Sequence, residues 1–143
     1  MDVGDRRIGV ALSDPEGILA SPFTIIERND DSADAEAIGG IAKDRQVGKI
    51  IVGLPHTMSG AIGQQAEKVK AFVEELRKHT AVPIEFRDER LSTVSAQRLK
   101  REASTKKAKK KVEYDAIAAA IILQGYLDES KQYGEYDSPG NTD

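Results

Sequence analysis

A chain of 143 residues, 39% hydrophobic and 31% charged, is long enough to bury one sheet-and-helix core and has the balance of a soluble globular protein. No apolar run approaches membrane-spanning length and the amino terminus carries no secretory hydrophobic segment, so the expectation is a cytoplasmic protein with no membrane partner. Cysteine is absent and His56 and His79 are the only histidines, which excludes disulfides, thiolate metal sites and a His-rich zinc centre. Any metal must then be held by oxygen ligands, which favours magnesium or manganese.

In chain order, Asp2 sits on a short strand, Gly4-Asp5-Arg6 reverses the chain, and Ile8 to Leu12 leads back as a second strand. Asp14-Pro15-Glu16-Gly17 is a turn, and Ile18 to Ile26 reads as a third strand whose Ser21-Pro22 marks an edge or irregularity. Asn29 to Asp34 reads as a polar loop. Ala35 to Gln46 follows as a modest helix with Ile38, Ile41 and Ala42 inward, weakened by Gly39-Gly40. Lys49 to Pro55 is a continuous apolar run, the pattern of a strand buried on both faces of a parallel sheet. After the loop His56 to Gly63, a long amphipathic helix carries Val69, Phe72, Val73 and Leu76 at helical spacing. Pro83 to Phe86 is a fifth strand closing on Arg87-Asp88-Glu89-Arg90, and Ser92 can cap a helix through Leu99. A lysine-rich loop, Ala103 to Lys111, precedes a nearly all-apolar helix over about 113–127. Residues 129–143 read as a disordered tail beyond a domain of residues 1–128.

The element order is three antiparallel strands followed by alternating helices and strands. It predicts an α/β fold of ribonuclease H-like architecture: a mixed five-stranded sheet, its first three strands antiparallel and the rest parallel, with helices on both faces.

The net charge of −3 hides an asymmetry. Arg98 to Lys111 holds eight basic residues against one acid, Glu102, a net +7, so the remainder carries −10. Local charge is what a phosphate backbone feels, and this makes Lys106, Lys107, Lys109, Lys110 and Lys111, with Arg90, candidate nucleic-acid-binding residues.

Three acids stand where acids are locally inconvenient. Asp2 begins a strand that should be central; Asp88 and Glu89 close another strand; Asp115 lies in the first turn of the last helix, in line with Ala118, Ala119 and Ile122. A carboxylate on a stripe that packs against a sheet is costly unless paired, hydrogen-bonded or bound to a cation. Converging carboxylates can hold divalent cations roughly 3.5–4 Å apart, one activating water and the other stabilising the leaving oxygen of a phosphodiester. Each residue also has a plainer reading. Asp115 can favour the positive end of its helix, Asp88 and Glu89 can pair with Arg87 and Arg90, and Asp2 and the lysines can be solvated. His56 reads as an exposed loop residue and His79 as a partner of a helix C-terminus.

The blocks Asp2-Val3-Gly4, Arg7-Ile8-Gly9-Val10-Ala11, Ser13-Asp14, Val52-Gly53-Leu54-Pro55, Asp88-Glu89-Arg90-Leu91-Ser92-Thr93, Asp115-Ala116-Ile117-Ala118-Ala119 and Ile122 to Leu127 occur in this order. Together they resemble the YqgF/RuvX family of bacterial RNase H-like nucleases, named for pre-16S rRNA processing and for Holliday-junction resolution. The likeness runs to about Asp128. It implies that Asp2, Glu89 and Asp115 are catalytic and bind Mg2+ or Mn2+. The implied substrate is structured RNA at the 5′ end of the small-subunit rRNA precursor, and branched DNA is the alternative. Which of Asp88 and Glu89 faces the site is open, since neighbours on a strand point to opposite faces. Members usually carry several apolar residues before the first acid, whereas only Met1 precedes Asp2 here, so a short central strand is expected. The chain is a monomer or a homodimer, and junction resolution calls for the latter. Two competing classes are an actin-like ATPase, which lacks here a second phosphate motif, and a non-catalytic nucleic-acid-binding RNase H-like scaffold.

Overall fold

Gly4 turns the chain as its sequence suggests. Its N–H donates to the Arg7 carbonyl at 2.9 Å, closing a hairpin in which β1 (Asp2–Val3) runs antiparallel to β2 (Arg7–Ser13). Asp2 lies opposite Gly9 and Val3 opposite Ile8. β3 (Ala20–Glu27) pairs with the other edge of β2, and the register slips between Val10 and Ala11, where Pro22, lacking an N–H, stands opposite Ala11. The computed structural model describes residues 1–55, 63–88 and 109–141.

α1 (Asp31–Asp44) begins four residues before the predicted start, because the Asp30 side chain accepts a hydrogen bond from the Ala33 N–H at 2.8 Å and caps the first turn. Gly39, a sign of weakness in the sequence, is a packing residue: a Cβ there would come within 2.7 Å of the His79 carbonyl oxygen. β4 (Ile50–Leu54) is buried throughout and runs parallel to β5 (Ile84–Asp88), in register from Ile50–Ile84 to Leu54–Asp88. α2 (Gln64–Leu76) connects them, and its Val69, Phe72, Val73 and Leu76 are buried as their spacing predicts.

One core joins these elements. Val3, Ile8, Val10, Val52 and Leu54 project at period two from three strands onto Ile38, Val69, Phe72 and Leu76 of α1 and α2. Each large side chain sequestered there contributes about 1.5–3 kcal/mol. In place of the single five-stranded sheet expected, the strands form two sheets, one antiparallel of three strands and one parallel of two; they meet at Met1, whose amino group donates to the Ile51 carbonyl and whose own carbonyl accepts from the Gly53 N–H.

The opposite face of β2 is covered by α3 (Lys109–Asn141), with Ala116, Ala119 and Ile122 buried. Two expectations are corrected here. Lys109, Lys110 and Lys111 form the first turn of this helix, not part of a loop, so Asp115 stands in the second turn. The helical backbone also runs on to Asn141, past the helix end expected near residue 127. No described helix is long and apolar enough to cross a membrane. The predicted helix from Ser92 to Leu99 lies outside the described residues.

Candidate active site

Directly opposed residues of an antiparallel pair point to the same side of a sheet, so Asp2 and Gly9 share a face. Gly9 has no side chain, and the space is used. A Cβ built on it would fall 1.9 Å from the carbonyl oxygen of Asp115 and 3.0 Å from the Ala116 nitrogen, so α3 rests its backbone on the β2 glycine. The strand that carries Asp2 opposite Gly9 and the helix that carries Asp115 are thereby brought to one patch of sheet. Alternation along β2 puts Arg7 on that patch too, and its Nε donates to Asp115 Oδ2 at 2.8 Å.

The pair is half-buried, with 31% of the Arg7 and 25% of the Asp115 side chain exposed. Hydrogen bonding to Asp115 and the charge of that carboxylate raise the Arg7 pKa above its ordinary value, with a smaller contribution from Glu27, its cross-strand neighbour. The arginine is a fixed positive charge. An acid this far inside a helix is beyond the first turn, where the dipole acts most, so Arg7 and not the helix end is what balances Asp115.

Strand parity on β5 gives the side on which Asp88 stands. Arg87 faces α3: its Nη1 donates to Glu129 at 2.6 Å, and a Cβ on Gly125 would come within 2.7 Å of its Nη2. Asp88 is aligned with Leu54, which belongs to the core under α1 and α2, so Asp88 is on the face away from Asp115. Glu89 lies outside the described residues, as do Arg90, Lys106, Lys107 and His56. Lys109, Lys110 and Lys111 are placed only as the opening helical turn that leads to Asp115. His79 stands elsewhere, 3.3 Å from Glu75 past the end of α2. Among the described residues no group of three acids or histidines could hold a metal, and Asp2 and Asp115 are the candidates the fold gathers. Both are hard oxygen donors, the kind that suits Mg2+ or Mn2+.

Three residues contribute here that the sequence reading did not single out. Arg7 pairs with Asp115, and Gly9 admits the helix; a glycine inside a β-strand is the signal that could have flagged it. Gln124 ties the middle of α3 to the start of β3, accepting from the Ala20 N–H at 2.8 Å and donating to the Ile18 carbonyl at 2.9 Å.

Comparison with known proteins gives one answer. The profile of the family described as "RuvX: Holliday junction resolvase" matches residues 1–129. A protein of Thermoanaerobacter pseudethanolicus named "Putative pre-16S rRNA nuclease" is 48% identical over 132 residues, covering 92% of this chain and 95% of its own. Proteins of the same name from Clostridioides difficile and a Roseiflexus species are 48% and 47% identical, covering 90% and 92% of this chain and 91% and 93% of theirs.

Proposed function

From the premise that this chain belongs to the RuvX family, we propose that it is a nuclease that hydrolyses phosphodiester bonds in structured nucleic acid, its substrate being the 5′ end of pre-16S rRNA. The observation that carries the site is the seating of Asp115 on Gly9, across from Asp2, which gathers two acids distant in sequence onto one face. Glu89 is the third acid in this reading. Asp88 is turned to the other face, and the family resemblance singles out its neighbour. The five strands then act as one ribonuclease H-like sheet, ordered β3-β2-β1-β4-β5 and joined at Met1, with the site at the end of the central strands.

A divalent cation, Mg2+ or Mn2+, when bound by Asp2, Asp115 and Glu89, would activate the attacking water and neutralise charge on the leaving oxygen. The chain's own part is positional. Gly9 sets how close α3 comes to the sheet, and so where Asp115 stands relative to Asp2. Arg7 holds the Asp115 carboxylate by Oδ2. The lysines at the start of α3 oppose the helix dipole, so helix stability gives no reason for them; phosphate binding does.

A cleavage assay with ribosomal precursor RNA and a four-way DNA junction, each with and without Mg2+ or Mn2+, tests the reading. Metal-dependent cleavage of the RNA is expected. Cleavage of the junction alone would make the chain a Holliday-junction resolvase, and binding without cleavage would make it a scaffold. Neutralising Lys106, Lys107, Lys109, Lys110 and Lys111 should flatten the salt dependence of RNA binding, each lost phosphate contact changing the log–log slope by roughly 0.7–0.9. An unchanged slope would return these lysines to solvent.

A further inference from the structure

We propose that Arg7 is a positioning residue of this site: a resident counter-cation that lets Asp2 and Asp115 share one patch of sheet before a divalent cation arrives, and that yields Asp115 when one does. The inference rests on the reading of that patch as the cation site. Two carboxylates on one face repel unless a positive charge stands between or beside them, and Arg7 is placed on that face by β2 alternation, two residues from Gly9. Its guanidinium reaches Asp115 through Nε to Oδ2, which leaves the second carboxylate oxygen outside that bond. Both side chains are partly open to water, so the contact is screened and exchangeable. Arg7 also has a second acid to turn to. Glu27 is its directly opposed neighbour on β3. A guanidinium released from Asp115 therefore exchanges one carboxylate for another across the strand, and the incoming cation takes its place.

This predicts opposite effects from two substitutions. In Arg7→Gln the competing charge is gone, so Mn2+ binding measured by calorimetry should tighten by about three- to tenfold. The melting temperature of the metal-free variant should fall, and saturating Mn2+ should raise it by more than it raises the wild type. The Mn2+ concentration that half-activates cleavage should fall by a similar factor, a shift that a merely structural pair would not produce. Arg7→Lys keeps the charge and should bind Mn2+ like the wild type. Glu27→Gln, an exposed substitution expected to leave the fold intact, removes the alternative partner, commits Arg7 to Asp115 and should weaken Mn2+ binding a few-fold. Unchanged or weaker Mn2+ binding in Arg7→Gln would assign the pair a purely structural role and overturn the proposal. Asp115→Asn separates the two levels: if it binds Mn2+ as the wild type does, the site reading itself is wrong. If it loses Mn2+ while Arg7→Gln changes nothing, only the role of Arg7 falls.

Discussion

Two arginine–aspartate pairs in this protein have the same length and opposite characters. Arg28 Nε donates to Asp34 Oδ2 at 2.8 Å, the same distance that separates Arg7 Nε from Asp115 Oδ2. The Asp34 side chain is 2% exposed and that of Asp115 25%. Around the first pair every group has several partners. Arg28 also donates to the Gly4 carbonyl and to Asp31, and its guanidinium lies 5.1 Å above the Phe72 ring; Asp34 also accepts from the Asn29 N–H. That clasp ties the first turn to the start of α1 and the core. Among the described residues the second pair is joined by one side-chain hydrogen bond, and it stands half in water. A buried, multiply bonded pair is worth little net but is very costly to break, whereas an open one is cheap to rearrange. Bond length does not tell structural arginine from functional arginine; the number of partners and the access of water do.

The comparison can be broken at its buried end first. Asp34→Ala leaves the Arg28 charge without its main partner, and chemical denaturation should report a loss of about 3–5 kcal/mol. Gly9→Ala forces a Cβ into the Asp115 backbone and should destabilise by about 3 kcal/mol or more while misplacing α3, read by denaturation and by loss of cleavage together. At the open end the prediction is reversed. Asp115→Asn should cost at least about a hundredfold in cleavage, the scale on which one directly acting group is felt, with the urea midpoint close to wild type. If Asp115→Asn destabilised as much as Asp34→Ala, the two pairs would be alike and the distinction would fail.

The smallest effect sharpens the comparison with a carboxylate held by backbone N–H groups. Asp14 accepts from the Ile18 and Leu19 N–H groups at 2.7 and 3.0 Å, and these bonds lower its pKa below the ordinary aspartate range. A folded-state pKa lower than the unfolded one means that its contribution is complete above the unfolded value and is lost as pH falls through the folded one. The melting-temperature difference between wild type and Asp14→Ala should therefore be small and constant near neutrality and close up only in acid, below the usual aspartate value of about 4. A difference that persists in strong acid would mean that the ionised carboxylate is not what holds the turn.

Much of the fold was legible because period and composition act locally. The continuous apolar run of β4, the spacing of Val69, Phe72, Val73 and Leu76, and the Gly4 turn all correspond to observed elements, and the alanine stripe after Asp115 is buried. Boundaries were less legible. α1 starts earlier than its apolar pattern because Asp30 reads equally as loop and cap, and α3 extends past its apolar pattern at both ends. Of the candidate site, the awkward surroundings of Asp2 and Asp115 are legible in the sequence. The glycine on which Asp115 rests, the arginine that balances it and the side of β5 that Asp88 occupies are not, since each depends on a strand's neighbour and not on its own residues.

The amino-acid order alone determined which segments become strands and helices, that any metal must be held by oxygen, and which family the chain resembles, because propensity, ligand chemistry and motif order are written along a single dimension. Only the tertiary structure decided that residues 2, 7 and 9 share the sheet face on which Asp115 packs, and that Asp88 is turned away from it. The reason is that facing is set by register: moving a strand by one residue turns every side chain over, and register is fixed by partners far away in the chain.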